Sequence, residues 1–133
     1  MSAPGIAPTP ESVLEGTAEG IVVLDRAGLV VFANPAAGGL LGFTTDQLVG
    51  KSLHDLTHHH RADGSDFEHA DCPISRVATG GSPHAAERDT FWRSAGTAIT
   101  VDYRCTPVFR AAKPGGAVLV FSNRALLERR RDD

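Results

Sequence analysis

The sequence predicts an α+β fold, a five-stranded antiparallel sheet with short helices packed on one face. Three observations carry that expectation. Two apolar, β-branched runs stand early in the chain, at 21–24 and 29–33. The stretch 34–81 is then broken into short pieces by helix caps and glycines. Three extended segments separated by turn signals follow. Such an order lets the opening pair sit beside the returning strands in one sheet.

Each element has a local reason. After Pro8 and Pro10, "ESVLEGT" has room for a short helix. In "GIVVLDRAGLVVFAN" the two runs flank Asp25-Arg26-Ala27-Gly28, where the glycine supplies the positive φ of a tight hairpin. Asn34 is a good N-cap, and Pro35 fits the first helical position, where no N–H is needed. Gly42 ends that helix. Thr44 and Gln47 have capping-box spacing, Gly50 ends the turn they start, and Ser52 caps another through Leu56. "DCPISRVAT" reads as a helix capped by Asp71 and stopped by Gly80-Gly81. "HAAERDTFWR" and "TAITVDYRCTPVF" read as strands around a Ser94-Ala95-Gly96 turn. The second places Ile99, Val101, Tyr103 and Cys105 on one face, and its Pro107 suits a strand end or edge. "AAKPGG" reads as a turn, "AVLVFSN" as a central strand and "RALLERRR" as the start of a helix.

The bulk numbers bound the function. A chain of 133 residues, 41% hydrophobic and 22% charged, fits one globular domain with its own core. The expected division is a disordered leader at 1–10, the folded domain at 11–124, and the start of a C-terminal helix or linker at 125–133. A net charge of -3 gives no basic footprint for nucleic acid, and "ERRRDD" reads as a solvated helix end. Cys72 and Cys105 are too few for a disulfide framework and form no CxxC pair. No apolar run approaches the roughly 20 residues that span a bilayer. The N-terminus lacks the regions of a signal peptide, so the expected location is cytoplasmic.

The stretches "EGIVVLDRAGLVVFANPAA" and "LLGFTTDQLVGKSL" resemble the opening strands, the Asn-led helix and the Gly-containing turns of PAS domains. "ADGSDFEHADCPISRVATG" followed by "FWRSAGTAITVDYRCTPV" is similar to a bacterial subgroup of that family. The resemblance covers 11–129 and implies a glove-like fold whose hollow holds a small ligand. It also implies a homodimer that signals through terminal helices to a kinase, phosphatase or transcription factor, as in two-component systems. No such output domain stands in the sequence, and the unfinished helix "RALLERRR" favours a fragment of a longer receptor. Many members end the last strand with Asp-Ile-Thr. The matching place here reads Asn123-Arg124-Ala125, which lacks both the carboxylate and the hydroxyl.

The candidate chemistry gathers at 58–74, "HHHRADGSDFEHADCPI", with four of the six histidines close to Cys72. His59, His69 and Cys72 are the residues that a zinc ion would need to share, but their spacing matches no metal motif. The segment therefore reads as a polar loop leading into a helix, at one side of a pocket mouth. Haem held by His69 or Cys72 is the second possibility. Flavin photochemistry is disfavoured, since no adduct-forming cysteine lies near "KSLHDL". Cys72 with His69 lacks an oriented base and an oxyanion site, so no enzyme is expected. Glu87, Arg88 and Asp89 read as the wet face of a strand. What remains is apolar. Val23, Phe32, Leu41, Leu53, Ile74, Val77, Leu119 and Phe121 are the expected pocket walls, with Trp92 and Tyr103 as polar-handled members. The leading expectation is a sensory domain that binds a small molecule or a cofactor not named by the sequence. A dimerisation module with a filled core is the alternative, and a haem- or metal-binding redox or gas sensor using His69 and Cys72 is the second alternative.

Overall fold

The computed structural model describes Pro10 and residues 18–125. The expected leader apart from Pro10, the expected short helix at 11–17 and most of the expected outgoing helix lie outside the described residues. Five strands, β1 (Gly20–Asp25), β2 (Val30–Ala33), β3 (His84–Trp92), β4 (Ala98–Arg110) and β5 (Lys113–Asn123), form one antiparallel sheet in the order β2-β1-β5-β4-β3. The central place of β5 explains its unbroken apolar run. Between β2 and β3 lie the helices α1 (Pro35–Leu41), α2 (Thr45–Leu48), α3 (Leu53–Thr57) and α4 (Pro73–Gly80). Among the described residues, no helix is long and apolar enough to cross a membrane.

The caps form as the local chemistry requires. Asn34 Oδ1 accepts the Ala37 N–H of the first turn of α1 and also the Ile21 N–H of β1. One buried side chain thus ties a helix start to the sheet. Gly42, at φ 77°, closes α1, and the Thr44–Gln47 capping box opens α2 with bonds of 3.1 and 2.9 Å. Gly28, at φ 83°, completes the first hairpin, where Asp25 Oδ1 accepts the N–H groups of Ala27 and Leu29.

Two expectations change. The cap of α4 is Cys72 rather than Asp71, because His69–Asp71 winds into a separate 3-10 turn just before it. The last hairpin turns on Ala111 and Ala112, at φ 50° and 63°, with Arg110 paired to Lys113. The Pro-Gly-Gly that signals a turn lies inside β5 instead. Pro107 is interior to β4. Past Cys105, however, β4 continues against β5 alone among the described residues, so the proline still sits on a locally open edge.

The inner face of the sheet closes on the helices. Val22, Leu24, Val101, Cys105, Leu119 and Phe121 meet Leu41, Leu53, Ile74 and Val77 in one buried cluster. An irregularity in β3 sets which residues join it. Two residues lie between Ala86 and Asp89, while only one lies between their partners Tyr103 and Val101. Arg88, at φ 57°, absorbs the extra residue, and its N–H donates to Asp102 Oδ1 at 3.0 Å. Such a bulge reverses the phase of the strand. Asp89 and Phe91 then face inward with Ala86.

Candidate functional site

The bulge brings a carboxylate to the hollow of the glove. Asp89 Oδ2 accepts a hydrogen bond from His58 Nε2 at 3.0 Å, although its segment reads as a wet face in the sequence. Its side chain keeps 29% exposure, while that of His58 has 1%. His58 ends α3 as its C-cap, and its other nitrogen, Nδ1, stands 3.3 Å from Cys72 Sγ. Phe67 and Phe91 flank the imidazole, with ring centroids at 4.7 and 5.4 Å. Cys72, at 1% exposure, enters from the N-terminus of α4.

His54 completes the set. It lies one helical turn before His58, so both rings leave α3 on the same side. Its Nε2 is 2.7 Å from the carbonyl of Phe67, which can only accept, so that nitrogen carries the proton. The other ring nitrogen, Nδ1, faces no carbonyl or amide. It is buried and has no hydrogen-bond partner. The donor atoms of His54, His58 and Cys72 all lie within 4.8 Å of one another.

Charge follows from this geometry. Burial alone pushes the Cys72 thiol up, but the hydrogen bond and charge of His58, with the Ser75 amide, outweigh it and bring the value down to about 6. Burial likewise disfavours charge on His58, yet its bonds to Asp89 and Cys72 raise it to about 9. Asp89 is held below its ordinary range by the same imidazole, against the cost of burial. Cys105 is as buried as Cys72 but has no such partner, and burial pushes it up to about 12. The line thiolate, imidazolium, carboxylate is that of an activated thiol nucleophile. No substrate reaches it as packed, because the gap lined by Leu24, Leu53, His54, His58, Cys72 and Ile74 is only about 10 Å³.

The other histidines stand apart from this centre. His59 stacks on Trp92 at 6.2 Å, and His60 meets Asp66 at 3.0 Å, both beside an open groove that Phe43, Leu56 and Arg93 also line. His69 lies at the rim, its ring 5.2 Å from that of His54 and its Nε2 3.4 Å from Ser75 Oγ. The expected grouping of His69 with Cys72 is thus replaced by His54 and His58. The spacing His54-x3-His58 on a Ser52-capped helix was the signal for that pair. Nothing local marked Asp89, whose direction depends on pairing with β4.

The expected pocket residues divide by position. Leu41, Leu53, Ile74, Val77, Tyr103, Leu119 and Phe121 are buried together on the inner face. Val23 and Phe32 are cross-strand partners and partly exposed, while Val22 and Ala33 beside them are buried. Trp92 is partly exposed and donates its indole N–H to the His60 carbonyl at 2.8 Å.

Residues 10–124 match the PAS fold family, and the chain belongs to it. No curated protein matches the chain. Among solved structures, a PAS domain from Colwellia psychrerythraea is 22% identical, with a TM-score of 0.67 over 84% of this chain and 90% of that one. A domain of a sensory box sensor histidine kinase/response regulator from Geobacter sulfurreducens is 20% identical, with a TM-score of 0.66, covering 84% and 89%. The PAS domain, in complex with ethanol, of a LuxR-family transcriptional regulator from Burkholderia thailandensis is 18% identical, with a TM-score of 0.66, covering 89% and 99%. These likenesses establish the fold. PAS domains are sensory modules rather than catalytic ones, and the Geobacter and Burkholderia neighbours are domains of signalling proteins.

Proposed function

We propose that this chain is the sensory input module of a signalling protein, and that it reports the state of the His54–His58–Cys72 cluster to an output. In this reading the apolar residues of the hollow serve as walls that keep water from the cluster. The full signalling unit is a homodimer in the cytoplasm, coupled to a kinase, phosphatase or transcription factor.

One observation carries the reading: the two oxygens of Asp102. Oδ1 accepts the Arg88 N–H at 3.0 Å, at the bulge that also aims Asp89 at His58. Oδ2 holds the Arg124 guanidinium at 2.8 Å, where the chain leaves β5. A change at His58 is therefore linked to the exit through Asp89, the bulge backbone at Arg88, and Asp102. Arg124 also faces Glu87 at 3.8 Å, so it fastens the exit in place of the Asp-Ile-Thr found in many relatives.

Amide hydrogen exchange on the wild type and on Cys72→Ser tests this. Altered protection at 122–125, together with changes around 54–72, is the expected result. Changes confined to 54–72, with the exit unmoved, would overturn the reading.

A further inference from the structure

Resting on that reading, we propose that the cluster is a metal site in which His54 Nδ1, His58 Nδ1 and Cys72 Sγ bind one zinc ion. Four features of the structure argue for it. Two imidazoles and a thiolate are borderline-soft donors that suit zinc in a tetrahedral site. Bonds of about 2.0–2.1 Å to nitrogen and 2.3 Å to sulfur put tetrahedral donor pairs roughly 3.5 Å apart. The His58–Cys72 pair already stands at 3.3 Å. The whole set lies within 4.8 Å, so about 1 Å of closure completes it.

The third feature is the outer contacts. Metal-bound histidines usually give their other N–H to a carboxylate or a backbone carbonyl. His58 gives its own to Asp89 and His54 to Phe67. His58 is thereby fixed with Nδ1 toward the thiol, and His54 with Nδ1 left free for a metal. The fourth is His54 Nδ1 itself, a ring nitrogen on a side chain of only 6% exposure with no hydrogen-bond partner. An unsatisfied buried polar atom costs free energy, and a metal ion removes that cost. On binding, the ion takes the nitrogen and sulfur of the His58–Cys72 contact, and the proton between them leaves to solvent. The fourth position remains for a water beside Leu24, Leu53 and Ile74, which line the same gap.

The test is a cobalt titration of the full chain, followed by zinc competition. One equivalent should give tetrahedral ligand-field bands in the visible and a thiolate charge-transfer band in the near ultraviolet. Cys72→Ser should abolish the charge-transfer band, His54→Ala should weaken binding, and Asp89→Asn should weaken it by about 10–100-fold. His59→Gln with His60→Gln should leave it unchanged. Should Cys72→Ser fail to fold, X-ray absorption of the zinc-loaded wild type should show one sulfur and two imidazole nitrogens. No binding, or binding without thiolate ligation, would overturn the proposal. If metal is absent yet Cys72→Ser moves the exit in hydrogen exchange, the sensory reading stands without the metal. If metal binds and the exit stays still, the site stands without that reading.

Discussion

At the scale of residues, His58 decides what Cys72 is. Both cysteines are buried in one core, so desolvation acts on them alike. The imidazole beside Cys72, held in charge by Asp89, reverses the outcome there. In metal-free protein the Cys72 thiolate, followed by its ultraviolet absorbance, should disappear as pH falls through about 6. In His58→Leu the donor and the positive charge are gone and burial governs. The thiolate should then form only above the ordinary thiol value of 9.0. Cys105→Ser should leave the wild-type curve in place. Identical curves for wild type and His58→Leu would remove the electrostatic account. Cys72 was visible in the sequence as a candidate, but its partner was not. Six histidines compete on spacing alone, and only the packing of Phe67 and Phe91 around one ring makes the choice.

Among the elements, the helix caps are legible locally. Asn34, Thr44 with Gln47, and Ser52 cap helices because their bonds reach only three residues along the chain. The phase of β3 was not legible. Its bulge is fixed by the Asp102 carboxylate and by register with β4, neither of which leaves a mark between Ala85 and Thr90. The last hairpin shows the same limit from the other side. Pro114, Gly115 and Gly116 are strong turn residues, yet the register of β4 with β5 puts the reversal on Ala111 and Ala112. Left-handed backbone costs a residue with a Cβ about 1–2 kcal/mol. Ala112→Gly should therefore stabilise the domain by about 1 kcal/mol, seen as a rise of a few degrees in Tm. Unchanged or lowered stability would show that the turn has another geometry.

For the molecule as a whole, the order β2-β1-β5-β4-β3 explains why the site exists only in the folded state. His54 and His58 come from α3, Cys72 from the start of α4 and Asp89 from an edge strand. The general architecture was legible because it follows from the count and order of apolar runs. The cluster was not, since its members meet only when the sheet curves over the short helices. A ligand that binds the assembled site stabilises the folded chain, by about 2.7 kcal/mol at one hundred times Kd. The most direct measurement is thus thermal unfolding with and without zinc, on wild type and Cys72→Ser. The structure predicts a Tm several degrees higher with zinc in the wild type and no rise in the variant. A wild-type Tm that zinc leaves unchanged or lowers, or an equal rise in Cys72→Ser, would contradict a metal site assembled by this fold.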